Sequence, residues 1–134
     1  MKKQEKTMLL WSTGAVLSAV VLGAMGAHAL KAVLSETSLL SFETAVKYQM
    51  YMGLALGVMV LIDRIILESS LSSWVYRMHV MGMLAFSGSI YILVFAQNTL
   101  VKSIVGPITP IGGTLLIFAW SWIFIHIVKK KVSV

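Results

Sequence analysis

Few side chains in this chain are equipped to bind or react, and nearly all of those are neutral. His28, Tyr48, Gln49, Ser87 and Thr109 supply an imidazole, a phenol, an amide and two hydroxyls, a set suited to holding a small polar group by hydrogen bonds rather than to breaking a bond. Gly112 stands with Thr109 in the run Gly106-Pro-Ile-Thr-Pro-Ile-Gly-Gly113, where a helix start would present free amides and a positive dipole end. Catalysis within a membrane would need paired acids, or a nucleophile with a base, in mid-span; neither is visible. No phosphate loop, zinc-protease helix, dinucleotide fingerprint or serine elbow occurs. The absence of cysteine excludes disulfides and thiolate metal sites. Nine methionines, among them Met50-x-Met52 and Met78-His79-x-Met81-x-Met83, bring soft donors that suit monovalent copper. Their i,i+2 spacing on a helix, however, sends the sulfurs to different faces. No catalytic residues, metal or cofactor are therefore expected.

Each polar residue also has a plain structural reading. His28 can serve as a hydrogen-bonded helix-end residue, Gln49 can bond a neighbouring helix, and Ser87 and Ser89 can bond the carbonyl one turn back. Tyr48, Tyr51 and the four tryptophans suit interface anchoring. His79 and His126 fall far from His28 and meet each other only if their helices pack in register.

The elements that must position these groups follow from composition. The chain has 134 residues, 58% hydrophobic and 12% charged, with a mean hydropathy of +0.89, well outside the usual balance of soluble domains. Length allows a single domain, residues 1–134. The net charge of +6 resides largely in Lys2, Lys3, Lys6 and Lys129, Lys130, Lys131. Those end clusters suit anionic headgroups and exclude a nucleic-acid stripe. A helix needs about 20 residues to cross a bilayer, and the uncharged runs, with the second extended past Lys47 to Asp63 and Arg64, give four spans near 8–30, 42–66, 78–101 and 110–128. The fold class expected is an all-α integral membrane four-helix bundle.

Lys and Arg counts set the expected direction. Placing both termini inside leaves eight basic residues on that side against three, Lys31, Lys47 and Lys102, on the other, so N- and C-termini are expected to be cytoplasmic. The inner loop Asp63 to Arg77 is expected at the headgroups with solvated ion pairs. Ala27-His28-Ala29 after a basic, apolar N-terminus resembles a signal-peptide cleavage site, but the 24-residue uncharged run exceeds an h-region of about 7–15 residues. Its retention as the first span is expected.

Small residues indicate how the spans pack. Ala15, Ala19, Gly23 and Ala27 repeat every four residues, and Gly53-x-x-x-Gly57 does the same in the second span; such ridges allow close backbone approach within a bundle or between protomers. In the fourth span, Thr109 as N-cap with Pro110 at the first helical position is the expected start, leaving Lys102 to Thr109 as an outer turn or re-entrant segment. On this topology His28, Tyr48, Gln49 and the Pro-Gly run share the outer half, with Ser87 in mid-span, as one vestibule.

Four ordered segments, Gly23-Ala-Met-Gly-Ala-His-Ala-Leu-Lys31, Phe42-Glu-Thr-Ala-Val-Lys-Tyr-Gln49, Phe86-Ser-Gly-Ser-Ile-Tyr91 and Gly106 to Gly113, resemble the family known as domain of unknown function 423, which includes the eukaryotic transmembrane protein 256 group. The resemblance spans Gly23 to about Trp120. It implies a small four-helix, multi-pass membrane protein without an assigned activity, placed in the inner or plasma membrane as bacterial members of the family are. Where relatives often carry a histidine shortly after the Tyr-Gln pair, this chain has Met52, which speaks against a proton relay or metal site pairing His28 with a second imidazole. Two functions remain in view. One is binding, or helping to move, a small polar solute, ion or lipid headgroup at the outer half. The other is a structural or accessory role, packing against a partner membrane protein or a second copy within the lipid bilayer.

Overall fold

The computed structural model describes residues 1–68 and 70–130; Lys131 of the C-terminal basic cluster lies outside them. Five helices follow in order: α1 (Lys3–Ala27), α2 (Glu36–Ile65), α3 (Ser73–Phe95), α4 (Thr99–Val105) and α5 (Ile108–Lys129), with a 3₁₀ turn at Leu30–Ala32 between α1 and α2. Four of them, α1, α2, α3 and α5, are long and apolar enough to cross a membrane. The fold is an all-α membrane four-helix bundle, with no strand among the described residues.

The helix limits differ from those expected where local hydrogen bonds intervene. At the first helix, which starts at Lys3 rather than residue 8, the Lys2 amide donates to Glu5 Oε2 at 3.1 Å. Helix α2 starts at Glu36, six residues before the expected start, because Ser35 caps it: its Oγ accepts from the Ser38 amide at 3.2 Å. The third span ends at Phe95, not Val101, because Ala96 is extended and Asn98 starts a new helix by accepting from the Leu100 amide at 2.8 Å. Lys102 to Thr109 is therefore no open turn: α4 runs through Gly106 and Pro107, both in right-handed helical conformation, almost directly into α5. Thr109 is consequently not the N-cap; it lies inside the first turn of α5. Pro110 falls in that same turn, where a missing amide breaks no intrahelical bond.

Packing runs as a row: α1 lies along α2, α2 along α3 and α3 along α5, whereas α1 and α5 do not approach each other among the described residues. Small residues set the first contact. Ser12, Ala15 and Ala19 are buried against α2, and a Cβ added at Gly53 or Gly57 would stand 3.0 Å from Ala15 Cβ or Ser12 Oγ. Ser12 Oγ also donates to the Gly53 carbonyl at 2.8 Å. The α3–α5 contact is tighter still, since a Cβ at Gly112 would sit 2.4 Å from the Phe86 nitrogen.

The larger apolar core gathers toward the end that carries the chain termini, built from Leu56, Met59, Val60, Val75, Tyr76, Val80, Ala119 and Ile123 with Leu67 and Leu71 of the α2–α3 loop. Asp63 ties this loop down and is buried, contrary to the solvated ion pairing expected of it. Its Oδ1 accepts from the Leu71 amide at 2.8 Å and its Oδ2 from the Tyr76 hydroxyl at 3.0 Å. Burial of a carboxylate is tolerable when its oxygens are hydrogen-bonded in this way. The ion pair that does form in this region joins Glu68 to Lys130 at 2.7 Å, on the surface. The ammonium beside it holds the Glu68 carboxyl below its ordinary range.

Candidate functional site

Between α1 and α3, where the row of helices leaves a gap, a lateral groove of about 610 Å³ opens with Gln49 of α2 at its base. Its walls are almost wholly apolar, formed by Leu10, Trp11, Leu22, Met83 and Leu84 among others. Small residues make the room: Gly14 and Gly88 both line the groove, and a Cβ at either would meet nothing within 4 Å.

Gln49 clasps the three helices together. Its Nε2 donates to the Ala15 carbonyl at 3.1 Å and to Ser18 Oγ at 2.7 Å, both on α1, while its Oε1 accepts from the Tyr91 hydroxyl of α3 at 2.8 Å. Ser18 passes its own hydrogen to the Gly14 carbonyl at 2.7 Å. The amide hydrogens of Gln49 are thus both committed. Ser87 differs: it lines the same groove, is only 3% exposed, and its Oγ has no hydrogen-bond partner.

A second groove, of about 440 Å³, lies at the end away from the termini and is lined by Thr37, Ser38, Ser41 and Thr44 of α2, Ile90, Leu93 and Val94 of α3, and Thr109 of α5. Ser89 Oγ donates to the Phe86 carbonyl at 2.9 Å and so accepts from Thr109 Oγ1 at 2.6 Å.

The residues singled out from sequence are therefore dispersed rather than gathered in one vestibule. Gln49 and Ser87 share the first groove and Thr109 lines the second. Tyr48 is exposed, its ring 4.7 Å from that of Phe86. His28 is exposed beyond the end of α1 and its Nδ1–H donates to the Ala24 carbonyl at 3.1 Å. Gly112 serves the α3–α5 contact, where backbone meets backbone. The cause is geometric: a span brings residues to one depth, but rotation about the helix axis decides which neighbour each faces.

Two further polar groups were not marked as sites by their sequence context. Tyr91, which is only half-buried, belongs to the Gln49 clasp. His79 is fully buried on α3, with Nε2–H donating to the Met52 carbonyl of α2 at 2.8 Å and its ring 6.0 Å from Trp120 of α5. A carbonyl can only accept, so the hydrogen resides on Nε2, and Nδ1 has no partner. Its spacing of eight residues from Ser87, about two helical turns, is the signal that would have placed both on one face of α3. No group of three or more acidic or histidine side chains able to hold a metal ion occurs among the described residues.

Residues 22–113 match the family described as "Protein of unknown function (DUF423)". The chain belongs to this family. Among its relatives, a UPF0382 membrane protein of Staphylococcus aureus (strain bovine RF122 / ET3-1) is 41% identical over 84% of this chain and 88% of its own length. UPF0382 membrane protein YwdK of Bacillus subtilis (strain 168) is 40% identical over 84% and 89%. UPF0382 membrane protein C1782.12c of Schizosaccharomyces pombe is 32% identical over 85% and 97%. No solved structure matches the chain. With four spans and relatives named as membrane proteins, this is a small multi-pass cell-membrane protein of unassigned activity.

Proposed function

We propose that the protein is a lipid-binding accessory of the membrane, holding one apolar chain in the groove between α1 and α3. The observation that carries this reading is the shape of the groove. About 610 Å³ of space with almost wholly apolar walls is drawn out over the ~22 Å from Thr7 to Leu22 along α1. Such a long, apolar groove suits a single extended aliphatic or prenyl chain. Its volume falls within the ~300–1,000 Å³ common for ligand pockets. The clasp through Gln49 gives the slot a fixed floor, since rotation of the amide would break bonds to both α1 and α3.

Native mass spectrometry of protein released from mild micelles tests the reading. The wild type is expected to retain a chain-bearing lipid, and Gly14→Leu and Gly88→Leu, which fill open space, to lose it while keeping the wild-type melting temperature. Equal retention in all three would leave the structural role as the better account.

A second reading is favoured by the hydroxyl-lined groove at the far end: a small polar solute, ion or lipid headgroup held beside Thr109. Binding there would be weakened by Thr109→Val and untouched by Gly88→Leu. The excess of basic residues at the terminal end supports cytoplasmic termini for either reading. Because the chain has no cysteine, single Ser35→Cys and Ser70→Cys variants report the topology directly. An impermeant thiol reagent added outside cells should label the first alone.

A further inference from the structure

We infer that the occupant of the α1–α3 groove is an uncharged lipid bearing a carbonyl near the bilayer midplane, held by a hydrogen bond from Ser87 Oγ–H. The inference rests on the groove reading and adds the chemistry of the occupant. Two kinds of observation carry it, the state of each polar atom on the groove wall and the depth of Ser87.

The lining contains no carboxylate, ammonium, guanidinium or imidazole, so a charged group in the slot would lie unpaired in hydrocarbon at high cost. The occupant is neutral. Apart from the exposed Trp11 indole N–H, the other donors on the wall are committed: Thr7 Oγ1 to the Lys3 carbonyl, Ser18 to Gly14, both Gln49 amide hydrogens to α1, and Tyr91 to Gln49. Serines in apolar helices ordinarily bond the carbonyl three or four residues back, and Ser18 and Ser89 do so here. Ser87 does not: its oxygen stays unpartnered and lies below the surface of the groove, so it reaches an occupant by turning about its Cα–Cβ bond toward the groove its residue lines. A donor left unpaired out of water is costlier and rarer than an oxygen with a spare lone pair, so the complementary group is an acceptor that brings no hydrogen of its own. A carbonyl meets that condition.

Depth narrows the source. Helix α3 runs from Ser73 to Phe95, and with its middle residue, Leu84, at the bilayer centre, Ser87 lies only ~4–5 Å away along the axis. The ester carbonyls of a phospholipid sit at the hydrocarbon boundary, about 15 Å from that plane, beyond reach. A prenyl or alkyl lipid with a quinone-type or ketone carbonyl, free to move in the apolar interior, places its oxygen at the right level.

The test uses the full chain in detergent micelles and three probes: a decyl-substituted benzoquinone, decylbenzene as the same tail without a carbonyl, and phosphatidylglycerol. Binding is read by the shift in melting temperature and by quenching of tryptophan emission. The quinone is expected to bind roughly 5–10-fold more tightly than decylbenzene, the worth of one hydrogen bond, and Ser87→Ala to abolish that ratio while leaving decylbenzene affinity unchanged. Removing an unpartnered hydroxyl should not impair folding, and Ser87→Thr should restore the ratio in part. Equal affinity for the two decyl probes, a ratio that survives Ser87→Ala, or binding of phosphatidylglycerol alone would each overturn the carbonyl inference while the groove reading stands. If no probe binds, both fall.

Discussion

The two flanks of α3 show what glycine can do in a membrane helix. Toward α5, Gly82 and Gly112 let the two backbones touch, and an added Cβ on Gly112 would collide with main-chain atoms of Phe86, Ala85 and Gly82 at 2.4–2.9 Å. Toward α1, Gly88 and Gly14 face open space, and the helices are joined across it by side chains converging on Gln49, with Ser73 Oγ donating to Gln4 Oε1 at 2.8 Å near the terminal end. The same residue type closes one flank and opens the other. Lipid offers little apolar driving force for closing a gap between helices, so an open flank persists where a polar clasp sets the spacing.

The largest effect should come from the closed flank. Gly112→Ala is expected to destabilise by about 3 kcal/mol or more, since backbone cannot yield to the new methyl as a flexible side chain would; Gly88→Ala should stay within about 0.5 kcal/mol. Reversible unfolding in mixed micelles measures both, and similar values for the pair would dissolve the contrast. Next comes Asp63→Ala at the loop joining α2 to α3, which strands the Leu71 amide and the Tyr76 hydroxyl and should cost about 2–3 kcal/mol. Combining it with Tyr76→Phe ought to be less than additive. Gln49→Leu sharpens the open flank: loss of bonds that each contribute about 0.6 kcal/mol in a membrane protein predicts about 1–2 kcal/mol. Spin labels on α1 and α3 should then report a broader distance distribution. Smallest is Glu68→Gln, on the surface. The lowered carboxyl value means that its pairing with Lys130 is complete above its ordinary 4.5 and is lost only as pH falls through the lowered value. A melting temperature indifferent to this change between about pH 5 and 8 is expected for so exposed a pair.

The spans were legible because charge is scarce: uncharged runs marked three of them directly and the second once extended past Lys47 to Asp63 and Arg64, and the Ala15, Ala19 and Gly53, Gly57 spacing marked the α1–α2 contact that forms. Helix ends were less legible, since Ser35 and Asn98 cap by side-chain bonds that hydropathy does not register. Of the candidate residues, Gln49 follows its plain reading as a bond between helices, and Ser87 departs from its own by leaving the preceding carbonyl unbonded. Asp63 was hardest to foresee. A carboxylate at a span boundary reads as solvated, and only the return of Tyr76 and Leu71 over it supplies the donors that let it turn inward.

The linear order of the helices bears on how the chain is made. Because α5 leans on α3 and, among the described residues, its backbone approaches neither α1 nor α2, the first three crossings can settle as a unit while the last is still emerging from the ribosome. The final crossing then docks by sliding Gly112 against a wall already standing, without threading between earlier helices. Truncation before Thr99 should accordingly yield a three-crossing product that still inserts and keeps the Gln49 to Tyr91 bridge.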